Sequence, residues 1–162
     1  MMKYIITSKQ YKLLKEQEQE ILHIPSIDLF GGWYNLQKFL KRRGNPPYSI
    51  GANLDLANTQ IESLGNLTSV GGYLNLFRTS IESLGNLTSV GGNLSLRLTP
   101  IKSLGNLTSV GGYLDLFNTP IKSLGNLTSV GGTLNLEYTP IARKYIEKQI
   151  RSMVFVAKEI HL

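Results

Sequence analysis

The sequence predicts a repeat solenoid, mainly β, whose coils stack through a parallel ladder of about five short strands, with α-helical caps at both ends. Three observations carry this reading. Ser-Leu-Gly-Asn-Leu-Thr-Ser-Val-Gly-Gly occurs four times unchanged, starting at Ser63, Ser83, Ser103 and Ser123, with a constant period of 20. Such self-similarity marks coils that cannot bury an apolar side alone and do so by stacking. Each copy continues into Leu-x-Leu, and a partial copy precedes them at Ile50–Thr59. The pairs Leu54/Leu56, Leu74/Leu76, Leu94/Leu96, Leu114/Leu116 and Leu134/Leu136 thus alternate with variable residues, and period two is the strand signal. Finally, Gly65-Asn66 and Gly71-Gly72 recur in every copy. They interrupt any α-helix and are expected to supply corners with φ > 0.

Taken in chain order, Ser8 is placed to N-cap a helix through Tyr11, Leu13, Leu14, Ile21 and Leu22. A second helix is expected from Trp33 to Arg43, with Trp33, Leu36, Phe39 and Leu40 on one face and Gly44-Asn45-Pro46-Pro47 ending it. Trp33 is read as packing the cap onto the solenoid. Within each coil the Leu-x-Leu strand leads to a threonine column (Thr59, Thr79, Thr99, Thr119, Thr139) and then Ile61 and its equivalents. These threonines are expected to point inward at a corner and to satisfy backbone groups from coil to coil. Leu64, Leu67 and Val70 follow at spacing three, which suits a tight turn or 3₁₀ stretch. After Pro140 a helix from Ala142 to Met153 is expected, with Tyr145, Ile146 and Ile150 apolar, and Val154–Val156 as a short strand or seal. One folded unit results: N-terminal cap 1–44, solenoid 45–141, C-terminal cap and tail 142–162. Five stacked strands span only ~20–25 Å.

The pattern Leu-x-Leu-x-x-Thr-x-Ile-x-x-Leu-x-x-Leu-x-x-Val over residues 50–141 resembles the leucine-rich repeat, with Thr where many members place Asn. Val-Gly-Gly-Tyr-Leu-x-Leu also resembles the repeats of receptor L-type domains. The uniform coils and the opening Met-Lys-Tyr-Ile-Ile-Thr are similar to small leucine-rich-repeat proteins of bacteriophages and large viruses. The resemblance implies a binding scaffold, with a host protein as the partner if the viral likeness holds.

Composition narrows the chemistry. The chain has no cysteine, which removes disulfides, thiolate catalysis and Cys-based zinc sites. No apolar run approaches the ~18 residues of a membrane helix. The N-terminal apolar burst, Tyr4 to Ile6, is shorter than the ~7–15 residues of a secretory core. A cytoplasmic protein with no membrane partner is expected. The net charge of +6 is uneven. Residues 1–43 hold eight Lys/Arg and four Asp/Glu, residues 44–140 four and five, and residues 141–162 five and two. Basicity therefore lies in the flanks.

No catalytic, cofactor or metal site is expected. His23 and His161 sit in opposite flanks, away from any nucleophile pattern. Asp55 and Asp115 share a column but lie three coils apart, ~14 Å, beyond the ~5–9.5 Å of paired glycosidase carboxylates. Glu62, Glu82, Lys102 and Lys122 form a charged column with a favourable Glu82–Lys102 contact. The sequons at Asn66, Asn86, Asn106, Asn126 and Asn93 read as turn chemistry.

What varies lies on the strand face, between the buried leucines and pointing out. Arg97 is expected between Phe77 and Phe117, each ~5 Å away, and Asn93 between Tyr73 and Tyr113. Tyr73, Phe77, Arg78, Asn93, Arg97, Tyr113, Asp115 and Phe117 form a candidate protein-binding patch, since aromatic and Arg side chains dominate interface hot spots. A second copy of the chain is another candidate partner, and ladder packing alone is the competing explanation. The alternative function is nucleic-acid binding through Lys38, Lys41, Arg42 and Arg43 at one end and Arg143, Lys144, Lys148 and Arg151 at the other.

Overall fold

The structure is a computed structural model, described for residues 20–162. The helix expected after Ser8 lies outside the described residues. The chain is a parallel β-solenoid in which each coil contributes a strand to two sheets. One sheet has seven strands: β1 (Leu22–Ile24), β2 (Tyr48–Ile50), β4 (Leu67–Val70), β6 (Ser89–Val90), β8 (Ser109–Val110), β10 (Ser129–Val130) and β12 (Phe155–Val156). The other has six: β3 (Leu54–Asp55), β5 (Leu74–Asn75), β7 (Leu94–Ser95), β9 (Leu114–Asp115), β11 (Leu134–Asn135) and β13 (Ile160–His161). The repeat sets the register: Leu74 pairs with Leu94 and Leu94 with Leu114, a shift of one sequence period per coil.

This corrects the single ladder of five strands. Those five are present as β3 to β11 in the six-stranded sheet. The Leu67–Val70 segment and its copies, read as a tight turn, form the second sheet. Leu67 and Val70 point inward while Thr68 and Ser69 remain partly accessible. Two adjacent outward residues hide the alternation of a strand.

Between the sheets the core is a set of columns, one side chain per coil. Leu74/94/114/134, Leu76/96/116/136, Leu87/107/127 and Val70/90/110/130 are all buried, as are Ile81, Ile101 and Ile121. Full burial of such a side chain contributes ~1.5–3 kcal/mol.

The glycine pair has a different basis from the one expected. Gly65, Gly85, Gly105 and Gly125 do adopt φ of +56° to +59°. Gly71-Gly72 and their copies do not. There the coils approach so closely that a Cβ on Gly91 would lie 2.2 Å from the Gly71 carbonyl oxygen, and one on Gly111 2.1 Å from that of Gly91.

Two threonine columns divide the work that one was expected to do. Thr79, Thr99, Thr119 and Thr139 are buried, but each donates within its own coil, as in Thr99 Oγ1 to the Leu96 carbonyl at 2.6 Å. Contact from coil to coil comes from Thr88, Thr108 and Thr128, each donating to the carbonyl of the threonine one coil earlier at 2.9 Å. The sequon asparagines join them: Asn86 Nδ2 donates to Asn66 Oδ1, and Asn106 Nδ2 to the Gly85 carbonyl.

Both flanks mix helix with strand. Helix α1 (Trp33–Arg42) buries Leu36 and Leu40 against the first coil, with Trp33 and Phe39 packed partly over the core. Gln37 Nε2 donates to Tyr48 Oη, which donates to the Leu64 carbonyl. At the other end the expected single helix is two, α2 (Pro140–Lys144) and α3 (Glu147–Met153), because Tyr145 and Ile146 are extended. Thr139 caps α2, accepting from the Ala142 N–H. β12 and β13 then continue both ladders. Among the described residues no helix is long and apolar enough to cross a membrane.

Candidate functional site

The six-stranded sheet turns at one corner of every coil, and side chains aim that corner. Asp55, Asn75, Asp115 and Asn135 each accept, through Oδ1, the N–H two residues on, at 3.0–3.2 Å. This Asx turn fixes the direction of Ala57, Phe77, Phe117 and Glu137. Coil three has Ser95 at this position. The next residue is left-handed in every coil: Asn58, Arg78, Leu98, Asn118 and Tyr138 have φ of +51° to +59°. Asn tolerates that conformation, whereas Arg, Leu and Tyr adopt it at a cost of ~1–2 kcal/mol.

Across the middle coils this face holds a groove of about 580 Å³. Six of the eight residues predicted from sequence line it: Tyr73, Phe77, Asn93, Arg97, Tyr113 and Asp115. Asp55, Asn75 and Ser95, which sequence reasoning left out of the site, also line it, with Leu74 and Leu94. The ladder brings Asn75, Ser95 and Asp115 side by side.

Phe117 and Arg78 support the groove from outside its lining. The Arg97 guanidinium lies over the Phe117 ring, 3.9 Å from its centroid. Phe117 also meets Tyr138 edge-on, with centroids 5.1 Å apart. Phe77 is covered by Arg78 at 4.9 Å. Arg97 is therefore stacked on one aromatic rather than held between two.

Exposure divides the set. Tyr73 is 38% and Tyr138 68% exposed, while Phe77, Arg97, Tyr113 and Phe117 are half-buried. Asp115 and Asn135, expected to point outward, are buried, 9% and 7% exposed. Their side chains are drawn against the backbone by the turn they make. Asn93 is also a fastener: its Oδ1 accepts the Tyr113 N–H at 2.8 Å, as Asn53 does for Tyr73 at 3.0 Å. Asn alternates with Tyr in this column because each amide anchors the tyrosine one coil on.

Burial raises the Tyr113 pKa above the usual phenol range. The Asn135 hydrogen bond opposes that shift, Asp115 and Glu137 reinforce it, and Arg97 opposes it. At neutral pH the groove therefore presents Tyr113 as a neutral hydroxyl. Leu98 and Tyr138 were not predicted as site residues. The available signal was the column itself, where large side chains replace the Asn of coils one and four.

The other polar groups lie elsewhere. His23 Nδ1 is 2.7 Å from Ser49 Oγ in the first strands, and His161 Nε2 lies 3.3 Å from Glu159 Oε2 in the last. Glu82 and Lys102 share no ion pair; among the described residues Arg151–Glu147 forms one, and His161 lies beside Glu159. Comparison with protein-family models, curated proteins and solved structures yields no match to this chain.

Proposed function

We propose that the protein is a non-enzymatic protein-binding module that recognises its partner through the strand-face groove. One observation carries the reading: in coils otherwise near-identical, the residues that wall the groove or frame its corner change from coil to coil, and beyond them only the Gln60/Ser80/Pro100/Pro120 and Glu62/Glu82/Lys102/Lys122 columns do. Aromatic rings and a guanidinium there are held by ring stacking and by a hydrogen-bonded ladder. Little side-chain entropy remains to be lost on association. Tyr and Arg in a partly desolvated concavity are the residue types that dominate interface energetics. The repeat pattern and the stacked coils support a leucine-rich-repeat-like scaffold, in which a rigid face displays variable side chains. If the resemblance to viral repeat proteins holds, the partner is a host protein.

Affinity capture from nuclease-treated lysate tests this, with wild type beside Tyr73→Ala and Phe77→Ala/Phe117→Ala variants shown to be folded by circular dichroism. The expected result is one protein retained by wild type and lost from both variants. Retention of the same proteins by all three forms overturns the proposal.

A further inference from the structure

Helix α1 divides its two sides between different tasks. Leu36 and Leu40 enter the core, and Gln37 is hydrogen-bonded to Tyr48. The outer side carries Tyr34, Lys38, Lys41 and Arg42. Their spacings of three and four residues place them on successive turns of one face. All four are exposed, Tyr34 by 77%. With the partly accessible Gln37 they form one continuous stretch of the helix surface. Residues 29–54 contain four Lys/Arg and no Asp or Glu. Asp28, just before them, accepts from the hydroxyl of Ser26, whose oxygen in turn accepts the Asp28 N–H. Among the described residues, Lys38, Lys41 and Arg42 make no ion pair.

We infer that this face binds single-stranded nucleic acid, with Lys38, Lys41 and Arg42 on successive phosphates and the Tyr34 ring as a stacking platform for one base. Charge complementarity selects a polyanion. The exposed aromatic beside the cations selects one with unpaired bases, because a ring can stack only on a base that is out of the duplex. A lipid surface fits less well. A helix lying in a bilayer interface needs a broad apolar face, and that of α1 is already packed on the solenoid. In the C-terminal basic cluster one of the cations is already engaged. Arg151 is bound to Glu147 and to the carbonyls of Val156 and Lys158, which makes it a structural residue of that end. The site is independent of the groove, which lies on the middle coils.

The full chain is titrated into fluorescently labelled oligo(dT) and oligo(U), with a duplex of equal length and phosphatidylserine vesicles as comparators, over a salt series. Three phosphate contacts predict a log–log salt slope of about −2. Tyr34→Ala is expected to weaken binding about tenfold with the slope unchanged. Lys38→Glu/Arg42→Glu is expected to abolish it, and Lys144→Glu/Lys148→Glu at the far end to leave it within about twofold. These side chains are all at the surface, and circular dichroism confirms that each variant is folded. Absence of oligonucleotide binding at low salt overturns the proposal. So does preference for the duplex, binding of vesicles but not oligonucleotides, or equal loss in the far-end variant.

Discussion

At the scale of single residues, the two kinds of glycine are separable by experiment. Gly105 has φ +56° and no atom within 4 Å of the point where a Cβ would stand, so Gly105→Ala meets only the left-handed penalty. A loss of ~1 kcal/mol is expected. Gly91 has an ordinary φ, but its Cβ would fall 2.2 Å from the Gly71 oxygen. Gly91→Ala must push two coils apart and is expected to cost ~3 kcal/mol or more. Urea midpoints for the two variants measure the difference. Arg78→Gly should act in the opposite direction. Its φ of +53° is strained for arginine, and its contact with Phe77 is exposed. A gain of ~0.5–1 kcal/mol is expected in the same assay. Strain kept at Arg78, Leu98 and Tyr138, where Asn58 and Asn118 show a milder residue suffices, is what a site selected for display rather than stability would carry. In sequence the two glycine types look alike, because each recurs unchanged in every copy of the repeat. Only the stacked coils distinguish a left-handed turn from a close approach.

At the scale of elements, legibility followed the spacing of the apolar residues. Helix α1 was readable because its ten residues carry Leu36, Phe39 and Leu40 at helical spacing. Five strands of the six-stranded sheet were readable because Leu-x-Leu recurs five times, whereas β13 carries no copy of it. The seven-stranded sheet was not, because in Leu67–Val70 and its copies two adjacent outward residues separate the inward Leu and Val, and this spacing of three hides the alternation. The α2–α3 break at Tyr145-Ile146 was hidden for a related reason: apolar spacing there continues across the interruption. The contact between α1 and the first coil passes through Tyr48, which is buried with its hydroxyl bonded to Gln37 and Leu64. Burial raises its pKa far above the usual phenol value of 10.0, and the Gln37 hydrogen bond only partly opposes this. The folded state thus holds this proton more tightly than the unfolded chain. The contribution is complete below pH ~10 and drains away as pH rises from there toward the folded value. Thermal unfolding should therefore show stability falling above pH ~10. Tyr48→Phe should flatten that fall at the cost of ~1 kcal/mol at neutral pH.

At the scale of the whole molecule, the stack behaves as a sum of coils and their interfaces. Deleting residues 83–102 removes one sequence period and joins Glu82 to Ser103, a junction in which the repeat continues in phase. The shortened chain is expected to fold with parallel-sheet circular dichroism and to unfold cooperatively. Its urea midpoint should be lower and its m-value reduced in proportion to the lost surface. A chain without a cooperative transition would contradict the solenoid account. The deletion also removes Asn93, Ser95 and Arg97, and with them the centre of the groove. In the proposed reading, fold and recognition are carried by different residues of the same coil, and recognition belongs to one sheet face. The most direct test of that reading is a photo-cross-linking amino acid placed at Tyr73 in the groove, and separately at Ser109 on the face of the other sheet. Each variant is then exposed to lysate and irradiated. The account predicts a discrete adduct of one protein from position 73 and none of that protein from position 109. Equal adducts from both positions, or adducts from position 109 alone, would contradict it.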